Sequence, residues 1–171
     1  GDVYKRQSAN SEASKMSQAE AENQAVKAED ELKIALNQEI GQGLVEVSRD
    51  KDKVIVTVGS GGAFRSGSAD LTEEAQSIMR RIAGVNSEGD SEITVSGHTD
   101  DVPLIFGSRY RDNWDLAAAR SASVVQSLSS NDLITGDRLE AISYGESRPV
   151  ESNETAAGRA KNRRIEIEIN Y

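Results

Sequence analysis

The C-terminal stretch Arg163-Arg164-Ile165-Glu166-Ile167-Glu168-Ile169-Asn170-Tyr171 decides the fold. Successive side chains on a strand point to opposite faces, and here isoleucine alternates strictly with glutamate. The stretch therefore reads as a strand with one apolar face and one wet face. Upstream, strand and helix signals interleave. Leu44-Val45-Glu46-Val47 and Lys53-Val54-Ile55-Val56-Thr57-Val58 are β-branched runs separated by a turn at residues 48–52. From Leu71 a capping residue precedes acidic first-turn residues, and Leu71, Ala75, Ile78 and Ile82 form one helical face. Residues 91–97 alternate Ile93 and Val95 with polar neighbours. Residues 111–130 read as a helix with Trp114, Ala117, Ala118, Ser121, Val125 and Leu128 on one side, and 138–145 as a further strand. Strands interleaved with helices, closing on a strand with a single buried face, predict an α/β fold of the α+β sandwich kind. Helices should cover one face of a mixed sheet.

That domain spans residues 43–171. Ahead of it, residues 17–42 are rich in Ala, Glu, Gln and Lys and predict a linker helix. Its apolar stripe is narrow: Ala25, Ala28, Leu32 and Ala35, with Leu36 and Ile40 at the edge. A solvated helix and one packing on a second copy fit that stripe equally. Residues 1–16 are polar and without period, which predicts disorder.

The 171 residues carry a net charge of −9, 29% charged and 36% hydrophobic. That balance argues against nucleic acid as a partner, because phosphate binding needs a cationic face. There is no cysteine, so disulfides, thiolate catalysis and cysteine-based zinc sites are excluded. Apolar runs are too short to span a bilayer, and residues 1–16 lack the apolar core of a signal peptide.

Two stretches invite a site. Gly59–Ser68 (GSGGAFRSGS) is glycine-rich but lacks the Gly-Lys-Ser/Thr ending of a phosphate loop and the third glycine of a dinucleotide fingerprint. It reads as a flexible turn. Thr94–Ala122 holds the single histidine, His98, beside Thr99, Asp100 and Asp101. No Gly-x-Ser-x-Gly elbow accompanies that histidine, and neighbours on a strand point apart, which disfavours a metal site. His98 reads as a structural residue at a strand end. Asp100 follows one strand and Arg120 sits on the next helix. Spacing leaves two readings open: a plain Asp100–Arg120 salt bridge, or opposite walls of a pocket for a zwitterion. In the second, Asp100 takes an ammonium and Arg120 clamps a carboxylate.

Val95-Ser-Gly-His-Thr-Asp-Asp101, Asn113-Trp-Asp-Leu-Ala-Ala-Ala-Arg120 and the run from Tyr144 to Ile167 containing Asn162-Arg163-Arg164 together resemble the OmpA-like peptidoglycan-binding family. The order holds from about Val54 to Ile169. The loop from Asp101 to Asp112 and the entry over residues 39–72 resemble the MotB/PomB branch, the stator subunits of the flagellar motor. The resemblance implies non-enzymatic binding of peptidoglycan through a diaminopimelate-containing stem peptide, in the periplasm, with no cofactor. Asp100 then matches the carboxylate that holds the side-chain ammonium, and Arg120 the clamp on the carboxylate. Thr99, Asn113 and Leu116 line the same pocket, with Arg163 or Arg164 as a second basic element. It further implies a homodimer, a MotA/PomA-like membrane partner, and a parent protein anchored in the inner membrane by a helix outside this chain. Ala117 departs from the serine found there in many members. An OmpA- or Pal-type outer-membrane anchor is the alternative within the family. A wall hydrolase using His98 and Asp100 is the alternative outside it.

Overall fold

The computed structural model describes the backbone of residues 2–171 and the side chains of residues 17–171. Residues 1–16 read as disordered from sequence, but the backbone of residues 2–16 is helical, the first part of the long N-terminal helix. Five strands form one sheet: β1 (Val45–Asp50), β2 (Lys53–Gly59), β3 (Glu92–His98), β4 (Leu139–Gly145) and β5 (Arg164–Asn170). Their spatial order is β1-β2-β5-β3-β4. Pairing is antiparallel from β1 through β2 and β5 to β3, and parallel between β3 and β4. The C-terminal strand is thus the centre of the sheet. It pairs on both edges, with Ile167 opposite Val56 on one side and Val95 on the other.

The isoleucine face of β5 is fully buried, as are Val54, Val56, Val58, Ile93 and Val95. Over it lie α1 (Asp2–Ala35), α4 (Glu73–Val85) and α5 (Asn113–Leu128). The short helices α2 (Asn37–Gly41), α3 (Ser60–Ala63) and α6 (Ala156–Asn162) connect the layers. The opposite face carries Thr94, Ser96, Glu166 and Glu168 and stays wet. The mixed sheet with helices on one side is as the alternation in β5 predicts.

Three local readings change. The β1–β2 turn is only Lys51-Asp52, because Ser48, Arg49 and Asp50 continue the strand; Lys51 adopts a left-handed conformation there. The face of α5 is rotated from the predicted one: Asn113, Leu116, Ala117, Arg120, Ser121, Val124 and Leu128 are buried, while Trp114 is half exposed. The cause is close helix–strand approach at Gly97. A Cβ there would lie 2.5 Å from the Ala117 carbonyl oxygen and 2.7 Å from Ser121 Oγ, so α5 packs its small residues onto glycine. The same approach lets Ser121 Oγ donate to the Ile142 carbonyl (2.9 Å). Third, the N-terminal stripe is not held for another copy. Ala25, Ala28, Leu32 and Leu36 are 0–6% exposed within this chain's own core, against β1, β2 and α4. A bidentate ion pair locks that arrangement: Arg81 on α4 donates to both Glu39 carboxylate oxygens (2.6 and 2.9 Å) and to the Ala35 carbonyl (2.8 Å).

Candidate functional site: a pocket between an ion pair and a buried arginine

Where β3 ends, the chain leaves the sheet and forms one wall of a cavity of about 520 Å³. Thr99 is held by its backbone N–H on the Gly145 carbonyl (2.8 Å), and its hydroxyl donates to the Asp100 carbonyl (2.8 Å). Asp100 is 8% exposed. One of its carboxylate oxygens accepts from the Val102 N–H (3.0 Å), the other from Arg163 Nη1 (2.6 Å). Asn113, first residue of α5, donates to the Val102 carbonyl (3.0 Å) and to Glu146 (2.6 Å), fixing the wall from below. Asp112 caps the helix by accepting from the Asp115 N–H, as expected of an aspartate at that position.

Arg120 closes the far end. It is 6% exposed, stacks over Phe64 at 4.8 Å, and donates to the carbonyls of Ser68 (2.8 Å) and Arg65 (3.3 Å). Among the described residues it forms no ion pair. Burial pulls its pKa down from the usual guanidinium range, with Tyr110 acting upward and Arg163 downward. A buried cation held by neutral carbonyls alone is electrostatically incomplete, because desolvation is offset only by an opposite charge of good geometry. The Asp100–Arg120 salt bridge left open by the spacing is not formed. Asp100 pairs with Arg163 instead.

Arg163 and Arg164 separate as neighbours entering a strand must. Arg163 turns into the pocket, whereas Arg164 lies on the wet face, donating to Glu166 (2.8 Å) and to the Arg148 carbonyl (3.2 Å). Of the residues expected at the site, Thr99, Asp100, Asn113, Leu116, Arg120 and Arg163 line one cavity; Arg164 does not. His98 is also on the wet face, 3.2 Å from Glu166 and stacked on Tyr144. Its pKa is lowered to about 4, first by burial and then by Arg164, with Glu166 opposing and Arg148 adding. Asp100 and His98 thus serve opposite sides of the sheet.

The glycine-rich stretch 59–68 was read as a turn, yet Ser60, Gly61, Phe64, Ser66 and Gly67 line the cavity and its carbonyls hold Arg120. An isolated pairing of Phe64 with Leu71 fixes it. Phenylalanine inside a glycine-rich run was the available signal. A larger hollow of about 780 Å³ lies between α1 and the α4–β3 connection. It is open, and its charged side chains such as Lys27 and Glu31 are solvated; the smaller cavity, which gathers the residues singled out above, is the candidate site.

The fold is that of a small domain in which helices cover one face of a five-stranded mixed sheet. The OmpA family model matches residues 63–163, and the chain belongs to the OmpA family. Motility protein B of Bacillus subtilis is 33% identical over 128 residues, covering 73% of this chain and 48% of that protein. The chain spans about half the length of the curated relatives it matches. Among solved structures, a putative MotB-like protein from Desulfovibrio vulgaris superposes with a TM-score of 0.80 at 25% identity, covering 90% of this chain and 94% of that one. The cell wall anchor of the type VI secretion system of Pseudomonas aeruginosa gives 0.72 at 31%, covering 81% and 96%. The periplasmic domain of Helicobacter pylori MotB gives 0.66 at 26%, covering 74% and 78%. The domain is closely related to MotB periplasmic domains.

Proposed function

We propose that this domain binds peptidoglycan in the periplasm without chemical turnover, gripping the diaminopimelate residue of the stem peptide as a zwitterion. The observation that carries the reading is Arg120, a buried guanidinium that has no carboxylate partner among the described residues, beside a pocket of ligand size. A ligand carboxylate supplies the missing charge through bidentate hydrogen bonds. At the other end, an ionised carboxylate offers about four lone-pair sites. Asp100 uses two, for Val102 and Arg163, so a ligand ammonium can add without evicting either. Arg163 keeps the pocket's net charge positive until the carboxylate arrives. Leu116 and Phe64 supply apolar surface for the aliphatic chain between the two charges.

Membership of the OmpA family and likeness to a cell wall anchor and to MotB support a wall-anchoring role in a motor stator. The parent protein would then pair with a MotA/PomA-like subunit and act as a homodimer. The helical stripe gives the dimer no support, being occupied within one chain. A hydrolase reading is disfavoured because His98 and Asp100 act on opposite sheet faces. Co-sedimentation with purified sacculi tests the proposal. Wild type should pellet without releasing muropeptides, and Asp100→Ala and Arg120→Ala should each stay largely in the supernatant while remaining folded. Variants that pellet like wild type would refute the assignment, and released muropeptides would restore the hydrolase.

A further inference from the structure

The two phenylalanines of this chain have opposite fates. Phe64 is buried under Arg120, whereas Phe106 stands wholly in solvent, with Ile105 beside it 84% exposed. Both exposed residues cap the run Val102-Pro103-Leu104-Ile105-Phe106, whose first four members line the pocket. The tip is a shaped turn. The Ser108 N–H donates to the Ile105 carbonyl (3.1 Å), and Gly107 takes a φ of 88°, which side chains disfavour. Asn113 pins the base of the run through the Val102 carbonyl. An aromatic ring is therefore displayed at the mouth of the pocket by a loop tied to its floor.

A single exposed apolar residue needs no explanation, but adjoining ones at a pocket mouth do. Val102, at the base of the same run, is 49% exposed, and the remaining exposed large hydrophobics of the described residues, Val26, Ile34, Trp114 and Val150, lie outside this loop. The ligand proposed above offers a match, because it is a sugar strand carrying peptide stems. With one stem residue held between Asp100 and Arg120, the rest leaves through the mouth, at most about 3.5 Å per residue. The sugars then come within reach of the rim. A pyranose has hydroxyl edges and an apolar face of C–H bonds, and that face stacks on an aromatic ring.

Resting on the peptidoglycan reading, we propose that Phe106, flanked by Ile105, is a sugar-stacking platform, so that the domain grips the glycan strand as well as the stem. Titration calorimetry with two soluble probes tests it: a disaccharide–peptide muropeptide and the same peptide without sugars. Wild type should prefer the muropeptide by about three- to ten-fold, the range of one aromatic stack. Phe106→Ala should abolish the preference with peptide affinity unchanged, and Phe106→Trp should retain it. The platform is refuted if Phe106→Ala keeps the preference or weakens both probes equally, or if it shifts the sedimentation coefficient, which would mark a contact between copies. Equal wild-type affinity for both probes would also refute it while leaving the stem-binding site standing. Failure of wild type to bind either probe would overturn both readings.

Discussion

Replacing Arg120 by methionine separates what this residue does for binding from what it does for folding. In the free protein its guanidinium is buried and held by two carbonyls and the Phe64 ring, with no carboxylate in reach among the described residues. Its hydrogen bonds, as bonds from a charged donor, are worth about 1.5–3 kcal/mol each. Against them stands an effective desolvation cost of several kcal/mol for a buried ion. These oppose each other, so Arg120→Met should change unfolding free energy by no more than about 2 kcal/mol in either direction. In the proposed ligand complex the guanidinium would instead meet its opposite charge. Losing one partner of such a pair costs about 2–5 kcal/mol, or about 30- to several-thousand-fold in Kd. A thermal-shift assay reads both quantities together. At about 100 times Kd, ligand adds about 2.7 kcal/mol to wild-type stability, raising Tm by about 5–10 °C for a chain of this size. Unliganded Arg120→Met should melt within about 8 °C of unliganded wild type, and that ligand concentration should raise its Tm by no more than about 2–3 °C. A variant that shifts like wild type would refute the reasoning. So would a loss of more than about 4 kcal/mol without ligand, which would make Arg120 a structural residue.

Gly97→Ala should be strongly destabilising, by about 3 kcal/mol, because its Cβ would press on the Ala117 carbonyl and separate β3 from α5; urea unfolding measures this, and ligand binding should weaken with it since the two elements carry Asp100 and Arg120. Leu32→Ala should cost about 2–5 kcal/mol in the same assay, since Leu32 is fully buried in the common core; a near-zero effect would mean that the N-terminal helix is not packed on the domain. His98 titrates at about 4 when folded and near 6.5 when unfolded. The unfolded state therefore binds the extra proton first, and stability should fall as pH drops from about 6.5 to about 4. Wild type should lose up to about 3 kcal/mol over that window by chemical denaturation, and His98→Gln should flatten the slope.

The sheet was legible because β5 alternates so strictly that only one face could be buried. Six of the seven residues expected at the candidate site line one cavity, but their pairing was not legible. Spacing offered Asp100 and Arg120 to each other, whereas the α6–β5 junction, distant in sequence, brings Arg163 to Asp100. The rotation of α5 was hidden because the glycine that permits it lies on another element. The narrow Ala–Leu stripe on the N-terminal helix fits a solvated face and a packed one equally, and carries no information about what it packs against. The glycine-rich stretch 59–68 was discounted because it matched no nucleotide motif, while its role is to present carbonyls to Arg120.

We propose above a pocket that recognises a zwitterion, with Arg120 meeting the ligand's carboxylate. Its most direct test is calorimetric titration of wild type and Arg120→Met with a diaminopimelate-containing stem peptide and with the same peptide amidated at the side-chain carboxylate. Amidation should weaken wild-type binding by about 30-fold or more and have almost no further effect in Arg120→Met. Equal wild-type affinity for both peptides, or an equal loss on amidation in both proteins, would contradict it.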